Sequence, residues 1–244
     1  MRLTLHRLAK LLRILRCRHL AATALKHRVF AGVEHRPVLS RAYATIVDIG
    51  ANRGQFALAA RQWCPNARIH AFEPLPGPAA LFRRVFADDA QTVLYEAAVG
   101  PESNTATMHI SARDDSSSLL PITARQSDTF PGTQETATTR VQVVTLDVAL
   151  SAEDLTSPAM LKLDVQGFEL DALRGCESLL HRFDRVYCEC SFVELYAGQA
   201  LASDVIEWLA RHGFRLMGIF NAAYEASGQA VQADFLFERM DLVA

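Results

Sequence analysis

Two clusters of carboxylates and glycines carry most of the chemistry legible in this 244-residue chain. In the first, Ile46-Val47-Asp48-Ile49 breaks into the small-residue turn Gly50-Ala51-Asn52-Arg53-Gly54, and a helix-like segment, Gln55 to Trp63, follows at once. Strand, glycine turn and helix in that order build a corner of nucleotide size. Glycines let the backbone approach a ligand, and the helix start offers unpaired N–H groups. Glu73 ends the next apolar strand, Ile69 to Phe72, nineteen positions after Gly54, where a carboxylate that binds ribose hydroxyls belongs. In the second cluster, Met160-Leu161-Lys162-Leu163 ends in Asp164, Gly167 sits in a short turn and Glu169 opens a helix. Asp164 is thereby expected beside the first strand at the same edge, where it can hold an ammonium group or face a second substrate. Glu169 also has a plain explanation, since an anion in the first helical turn complements the helix dipole.

The spacing restricts the ligand. A dinucleotide fingerprint reads G-x-G-x-x-G, whereas here Asp48-x-Gly50-x-Asn52-x-Gly54 is one residue shorter, with Asn at the middle position. Asn tolerates left-handed backbone better than most residues and can stand in for Gly. No Gly-Lys-Ser/Thr follows, which excludes a phosphate-cradling loop of the NTPase kind. The D-x-G-x-N-x-G form resembles motif I of S-adenosylmethionine-dependent methyltransferases, whose cofactor has a nucleoside but no phosphate. A tight turn that binds nothing is the plain alternative, and Glu73 weighs against it.

These residues need a scaffold, and the chain alternates accordingly. Strand candidates at 44–49, 68–73 and 92–99 are separated by helices at 54–63 and 77–87, a pattern of parallel strands with crossover helices. Thr105 to Ile110 and Val141 to Leu146 read as strands around a polar stretch, 111–140. Such length suggests either a functional lid or a disordered surface insertion, with Asp115 to Leu120 its most ordered part. Alternation resumes with a strand at 160–164, a helix at 168–181, a strand at 184–190, a helix at 202–212 and strands at 214–220 and 232–238. Seven main strands, the last two adjacent, predict a doubly wound sheet closed by a hairpin, with ligands at the strands' C-terminal ends.

Composition narrows the class. Half the residues are hydrophobic and the net charge is −2, which fits a soluble α/β domain. From Met1 to Val33 there are eight Lys/Arg and no Asp or Glu, so the remainder carries a net −10. An acidic body argues against a nucleic-acid surface. The first forty residues are set apart as a basic, helical segment preceding a domain over 41–244. Leu8, Leu11, Leu12 and Leu15 fall at helical spacing, and that face either packs on the domain or contacts an anionic membrane surface through residues 1–30. No secretory signal or membrane span is legible, so the expected location is cytoplasmic, with the inner membrane face as the site of any such contact. Five scattered cysteines read as reduced thiols, Cys188 and Cys190 as core residues on one strand face. No His/Cys cluster has metal-ligand spacing; Asp114 and Asp115 read as solvated loop charges, and no metal is predicted.

Together the segments resemble the FkbM-type S-adenosylmethionine-dependent methyltransferases over about residues 44–238. The matching pieces are Val47 to Gly54, Phe72-Glu73-Pro74, Ser116 to Leu120, Thr145-Leu146-Asp147, Leu161 to Glu169, Glu189 and Glu194 to Gln199. The resemblance implies a Rossmann-like class I methyltransferase fold: a seven-stranded, mainly parallel sheet with an antiparallel C-terminal strand. It also implies O-methylation of a hydroxyl on a sugar, glycan or macrolide-like product. Gln166 departs from the family's usual Glu, which puts acid–base chemistry at that position in doubt. By position, Gly50, Asn52 and Gly54 shape the turn under S-adenosylmethionine, with Asp48 ordering that turn or meeting the ammonium. Glu73 takes the ribose, and Ala98 and Val99, ending the third strand, line the adenine pocket. A hydroxyl is a poor nucleophile, so a base worth about 10²–10⁴-fold is expected; Asp164 is the first candidate, Glu189 the second and Glu169 the third. Two other readings stay open: a nicotinamide-dependent oxidoreductase, and a non-catalytic module that keeps the fold.

Overall fold

The computed structural model describes residues 10–225 and 227–240, so Leu8 and the basic residues Arg2 and Arg7 lie outside the described residues. Residues 10–15 are helical, followed by α1 (Arg18–His27). The strands are β1 (Thr45–Ile49), β2 (Arg68–Phe72), β3 (Thr92–Tyr95), β4 (Ala98–Val99), β5 (Asn104–Ser111), β6 (Glu135–Val144), β7 (Ala159–Leu163), β8 (Arg185–Ser191), β9 (Phe214–Tyr224) and β10 (Ala230–Arg239). The remaining helices are α2 (Gln55–Trp63), α3 (Pro76–Val85), α4 (Ala124–Thr129), α5 (Leu146–Ala149), α6 (Glu169–Gly175), α7 (Glu177–Leu180) and α8 (Ala202–Arg211).

β1 and β7 are buried at every position, as central parallel strands covered on both faces must be. They pair with each other in parallel, and the main sheet runs β3-β2-β1-β7-β8-β10-β9. β10 lies antiparallel to both its neighbours, β8 and β9. This is the expected doubly wound sheet with a hairpin edge. Strand alternation divides the core in two. Val47, Ile49, Leu161, Leu163, Val186, Cys188 and Cys190 join one apolar cluster, while Ile46, Met160, Tyr187 and Leu236 join the other, together with Phe56 and Ala57 of α2.

Several boundaries differ from expectation. The strand expected at 92–99 breaks after Tyr95, and Ala98 and Val99 leave the main sheet to pair with β6 in a three-stranded sheet, β4-β6-β5. The polar stretch is ordered: β6 begins at Glu135, α4 forms inside it, and a short turn of 3-10 helix spans Asp114–Ser116. β5 and β6 pair over their whole length, which shortens the connection between them to residues 112–134. The helix expected at 168–181 is interrupted at Cys176, between α6 and α7.

The amino-terminal segment packs on the α2 face: Ile14, Leu20, Val29, Val33 and Leu39 share the second cluster. The expected leucine stripe does not make that contact. Leu11, Leu12 and Leu15 are exposed while Ile14 is buried, because the helix is oriented by Ile14 and by the Lys10–Glu34 ion pair at 2.7 Å.

Candidate active site

A cavity of about 410 Å³ opens beside the C-terminal ends of β1, β2 and β7, a size within the usual range for small-ligand sites. Its floor is the glycine turn. Gly50 has φ +77°, and a Cβ there would stand 1.9 Å from the carbonyl oxygen of Asp164. Only glycine lets the tips of β1 and β7 meet this closely. Asn52 adopts φ 47°, the left-handed geometry expected of it, and its Oδ1 accepts from the Arg53 N–H at 2.8 Å. Gly54, at φ +91°, faces Phe86 and Phe82 and starts α2.

Beneath the turn lies a buried ion pair. Lys162 Nζ is 2.9 Å from Asp48 Oδ1, with the two side chains 6% and 0% exposed, and it donates to the Gly50 carbonyl at 3.0 Å. Asp48 does not line the cavity, whereas Lys162 does; Asp48 therefore orders the turn from below. Burial pushes its carboxyl up and Lys162 opposes this. Lys162 stays charged, since Asp48 and Asp164 outweigh its burial.

Glu73 lines the cavity. Its two oxygens accept the N–H groups of Asn52 (2.9 Å) and Leu75 (2.8 Å), which leaves each a further lone pair for a ligand hydroxyl. Burial raises its carboxyl to about 7 against these hydrogen bonds. Ala98 and Val99 line the apolar wall with Phe72, Leu75 and Met108, despite belonging to the smaller sheet. Asp114 to Ser117 form part of the rim, and Arg53 ties this segment to the glycine turn through Asp114 (Nε–Oδ2 2.9 Å).

The three carboxylates proposed as bases differ in environment. Asp164 lines the cavity with its side chain partly exposed, 3.9 Å from Lys162. Glu189 also lines it, and burial reinforced by Asp164, Asp234 and Glu169 pushes its carboxyl well above the usual carboxylate range. Glu169 is not among the lining residues. Its Oε1 accepts the N–H groups of Val165 and Gly167, both at 3.1 Å, and burial raises it to about 7. Through these bonds it holds the turn after β7.

Gln166 links the first two. Its Nε2 donates to Asp164 Oδ1 at 2.7 Å and to Glu189 Oε2 at 2.9 Å, while the Tyr196 hydroxyl donates to its Oε1 at 2.7 Å. A Glu here would confront two carboxylates with a third; the amide supplies the donors that let them share a wall. Gln232 donates to the other Glu189 oxygen at 2.9 Å.

Sequence reasoning missed the wall built by Lys10, Glu34 and His35. A partial signal was present. Asp48, Lys162, Glu189 and Asp234 replace apolar residues at the strand positions facing α2 and the amino-terminal segment, a polar seam that has to be satisfied from that side. Among the described residues, no group of three His, Cys, Asp or Glu is placed to hold a metal ion, and no helix is long and apolar enough to cross a membrane.

The model of the methyltransferase FkbM domain matches residues 48–216. The chain is 28% identical over 200 residues to the 2-O-methyltransferase NoeI of Sinorhizobium fredii (strain NBRC 101917 / NGR234), covering 78% of this chain and 82% of that protein. Among solved structures, it is similar to precorrin-6y C5,15-methyltransferase from Geobacter metallireducens GS-15 (TM-score 0.45, 13% identity, 90% of this chain and 86% of that one). It is also similar to the pyocyanin biosynthetic protein PhzM (TM-score 0.45, 14% identity, 85% and 53%). With the domain model spanning both the Asp48–Gly54 turn and the Asp164–Glu169 turn that meet at this cavity, the chain belongs to the FkbM methyltransferase family.

Proposed function

We propose that this protein transfers a methyl group from S-adenosylmethionine to a hydroxyl of a sugar, glycan or related natural product. The observation that carries the reading is the convergence of the shortened glycine turn, Glu73 and Asp164 on one cavity. The residues fit the cofactor. The Gly50–Gly54 turn would pass beneath it, Glu73 would accept from its ribose hydroxyls, Ala98 and Val99 would flank adenine, and Asp164 is the cavity carboxylate suited to its ammonium. When bound, S-adenosylmethionine supplies an electrophilic methyl on a sulfonium centre. The protein's own contribution is alignment, exclusion of water and removal of the hydroxyl proton. Lys162 and Asp48 fix the turn, and Gln166 fixes the carboxylate wall. Similarity to a 2-O-methyltransferase supports oxygen as the acceptor atom. The exposed Leu11, Leu12 and Leu15, interleaved with exposed Arg13 and Arg16, support peripheral contact with an anionic membrane face.

Calorimetry with S-adenosylhomocysteine and with NAD tests the cofactor. Binding of the first alone is expected, and binding of NAD alone would return the oxidoreductase reading. Transfer of isotopically labelled methyl into a glycan pool, with mass spectrometry of the product, tests the acceptor; label on nitrogen or carbon would overturn the hydroxyl assignment.

A further inference from the structure

His35 belongs to the segment that carries no resemblance to the family, yet it lines the cavity. Its Nδ1 lies 3.0 Å from the Tyr187 hydroxyl. That hydroxyl donates to Asp234 Oδ2 at 2.7 Å, an oxygen that Asn221 Nδ2 also approaches at 2.7 Å. A tyrosine has one hydroxyl proton. With that proton committed to Asp234, the oxygen is left to accept from His35, so Nδ1 carries the hydrogen and Nε2 the lone pair. The ring is held edge-on between Phe56 and Tyr187, at centroid distances of 5.3 and 5.6 Å. Its turn is anchored to α2 by the Gly32 N–H to Gln55 carbonyl bond at 2.8 Å.

We propose that His35 Nε2 is the base that accepts the hydroxyl proton of the methyl acceptor, with Tyr187 and Asp234 as positioning residues. This rests on the methyl-transfer reading above. The O–H bond of the acceptor breaks and its proton passes to Nε2. An oxygen electron pair forms the O–CH₃ bond, and the S–CH₃ pair stays on the sulfur of S-adenosylmethionine, the named methyl donor. The imidazolium charge is then balanced by Asp234 through Tyr187, and the proton returns to solvent.

The surrounding charges permit this. Asp234, Glu34 and Asp164 favour the imidazolium, Lys162 disfavours it, and burial outweighs them all and lowers the imidazole below its ordinary 6.5. His35 is thus neutral at pH 7, as a base must be. Glu34 Oε1 stands 3.9 Å from Nε2 but is taken by Lys10 at 2.7 Å. The competing carboxylates are less suited: Glu189 is biased toward its protonated form, and Asp164 is bonded to Gln166 and faces Lys162.

Long-range ¹H–¹⁵N spectra of the full chain with labelled histidine test the assignment, the His35 signal being identified by its loss in His35→Asn. The Nδ1–H tautomer is expected in the wild type. Tyr187→Phe should shift the tautomer balance toward Nε2–H, a change that loss of packing alone would not produce; Asp234→Asn provides a second route if Tyr187→Phe does not fold. His35→Asn should keep its S-adenosylhomocysteine affinity and lose about 10²–10⁴-fold in the rate of labelled methyl transfer. A wild-type Nε2–H tautomer, or a His35→Asn rate within threefold of wild type, overturns the proposal. Failure of the wild type to bind S-adenosylhomocysteine would instead overturn the methyl-transfer reading beneath it.

Discussion

Replacing Lys162 with methionine should destabilise the protein by about 3–5 kcal/mol, the usual cost of removing one partner of a buried ion pair. Methionine keeps the length and apolar stem of the lysine, so the change isolates the ammonium. Asp48 is fully buried, and neither of its oxygens has another hydrogen-bond partner among the described residues. Its carboxyl lies 2.9 Å from an ammonium that also anchors the Gly50 carbonyl. Without Lys162, the buried carboxylate must stay charged and unpaired or take up a proton.

The second route gives the loss a pH signature. Burial already raises Asp48 above its unfolded value of 3.8, and removing Lys162 raises it further. A carboxyl with a raised folded pKa contributes stability that is fully present below 3.8 and lost as pH climbs through the folded value. The variant should therefore be least impaired in acid and most impaired at pH 8. Urea unfolding of wild type, Lys162→Met and Lys162→Met/Asp48→Asn at pH 5 and pH 8 reads this directly. The double variant should recover part of the loss at pH 8, because a neutral amide is cheaper to bury than an unpaired charge. A single variant within 1 kcal/mol of wild type at pH 8, or a double variant no more stable than the single, would refute the ion pair as the support of the turn.

Three further outcomes follow from the same geometry. Gly50→Ala places a Cβ 1.9 Å from the Asp164 carbonyl oxygen at φ +77°; the left-handed backbone alone costs about 1–2 kcal/mol, and parting the strand tips should abolish S-adenosylhomocysteine binding in calorimetry. Glu73, raised from 4.5 to about 7 by burial, must ionise to accept fully from ribose, so affinity should fall as pH drops through about 7. Binding should take a proton from Glu73, and calorimetry in buffers of different ionisation enthalpy should lose that proton release in Glu73→Gln. Leu12→Ser/Leu15→Ser removes side chains that are 52% and 54% exposed and should reduce flotation with anionic liposomes while leaving the melting temperature unchanged; equal flotation would eliminate the membrane contact.

The parts legible in the sequence were those governed by local rules. The turn at Gly50 to Gly54 announced itself because only small or left-handed-tolerant residues fit between a buried strand and a helix. Asp164 lies at the cavity because it follows a short strand-forming run broken only by Lys162, and parallel pairing with β1 brings the two strand ends together. Ala98 and Val99 were placed at the cavity but on the wrong strand. The mark at the break after Tyr95 is a single charge, Glu96, which an exposed position on a continuous strand would accommodate as well as a strand end. The polar stretch misled for a related reason: β5 and β6 carry threonines, one glutamine and charges on exposed positions, and pairing with one wet face does not require the apolar run that identifies a central strand.

The amino-terminal segment was legible only as a helix that could pack on the domain, not by which residues, and the cause lies in what periodicity measures. A leucine stripe at 8, 11, 12 and 15 indicates that a helix has an apolar face; it does not say what covers that face. The segment is instead docked by residues without a helical pattern: Ile14, Val29, Val33 and Leu39 against α2, and Lys10 on Glu34. The requirement for such a segment could have been read from the other side. β1, β7, β8 and β10 place Asp48, Lys162, Glu189 and Asp234 on one face beside the apolar Ile46, Met160 and Leu236, and Tyr187 sits among them. Asp48 is met by Lys162 and Asp234 by Tyr187 and Asn221, but Tyr187's hydroxyl oxygen is met by His35 across the interface. A buried chain of this kind is costly unless every member is paired, so the polar seam and the basic segment that covers it form one unit, and removing residues 1–36 would strip part of the core and one wall of the active site together.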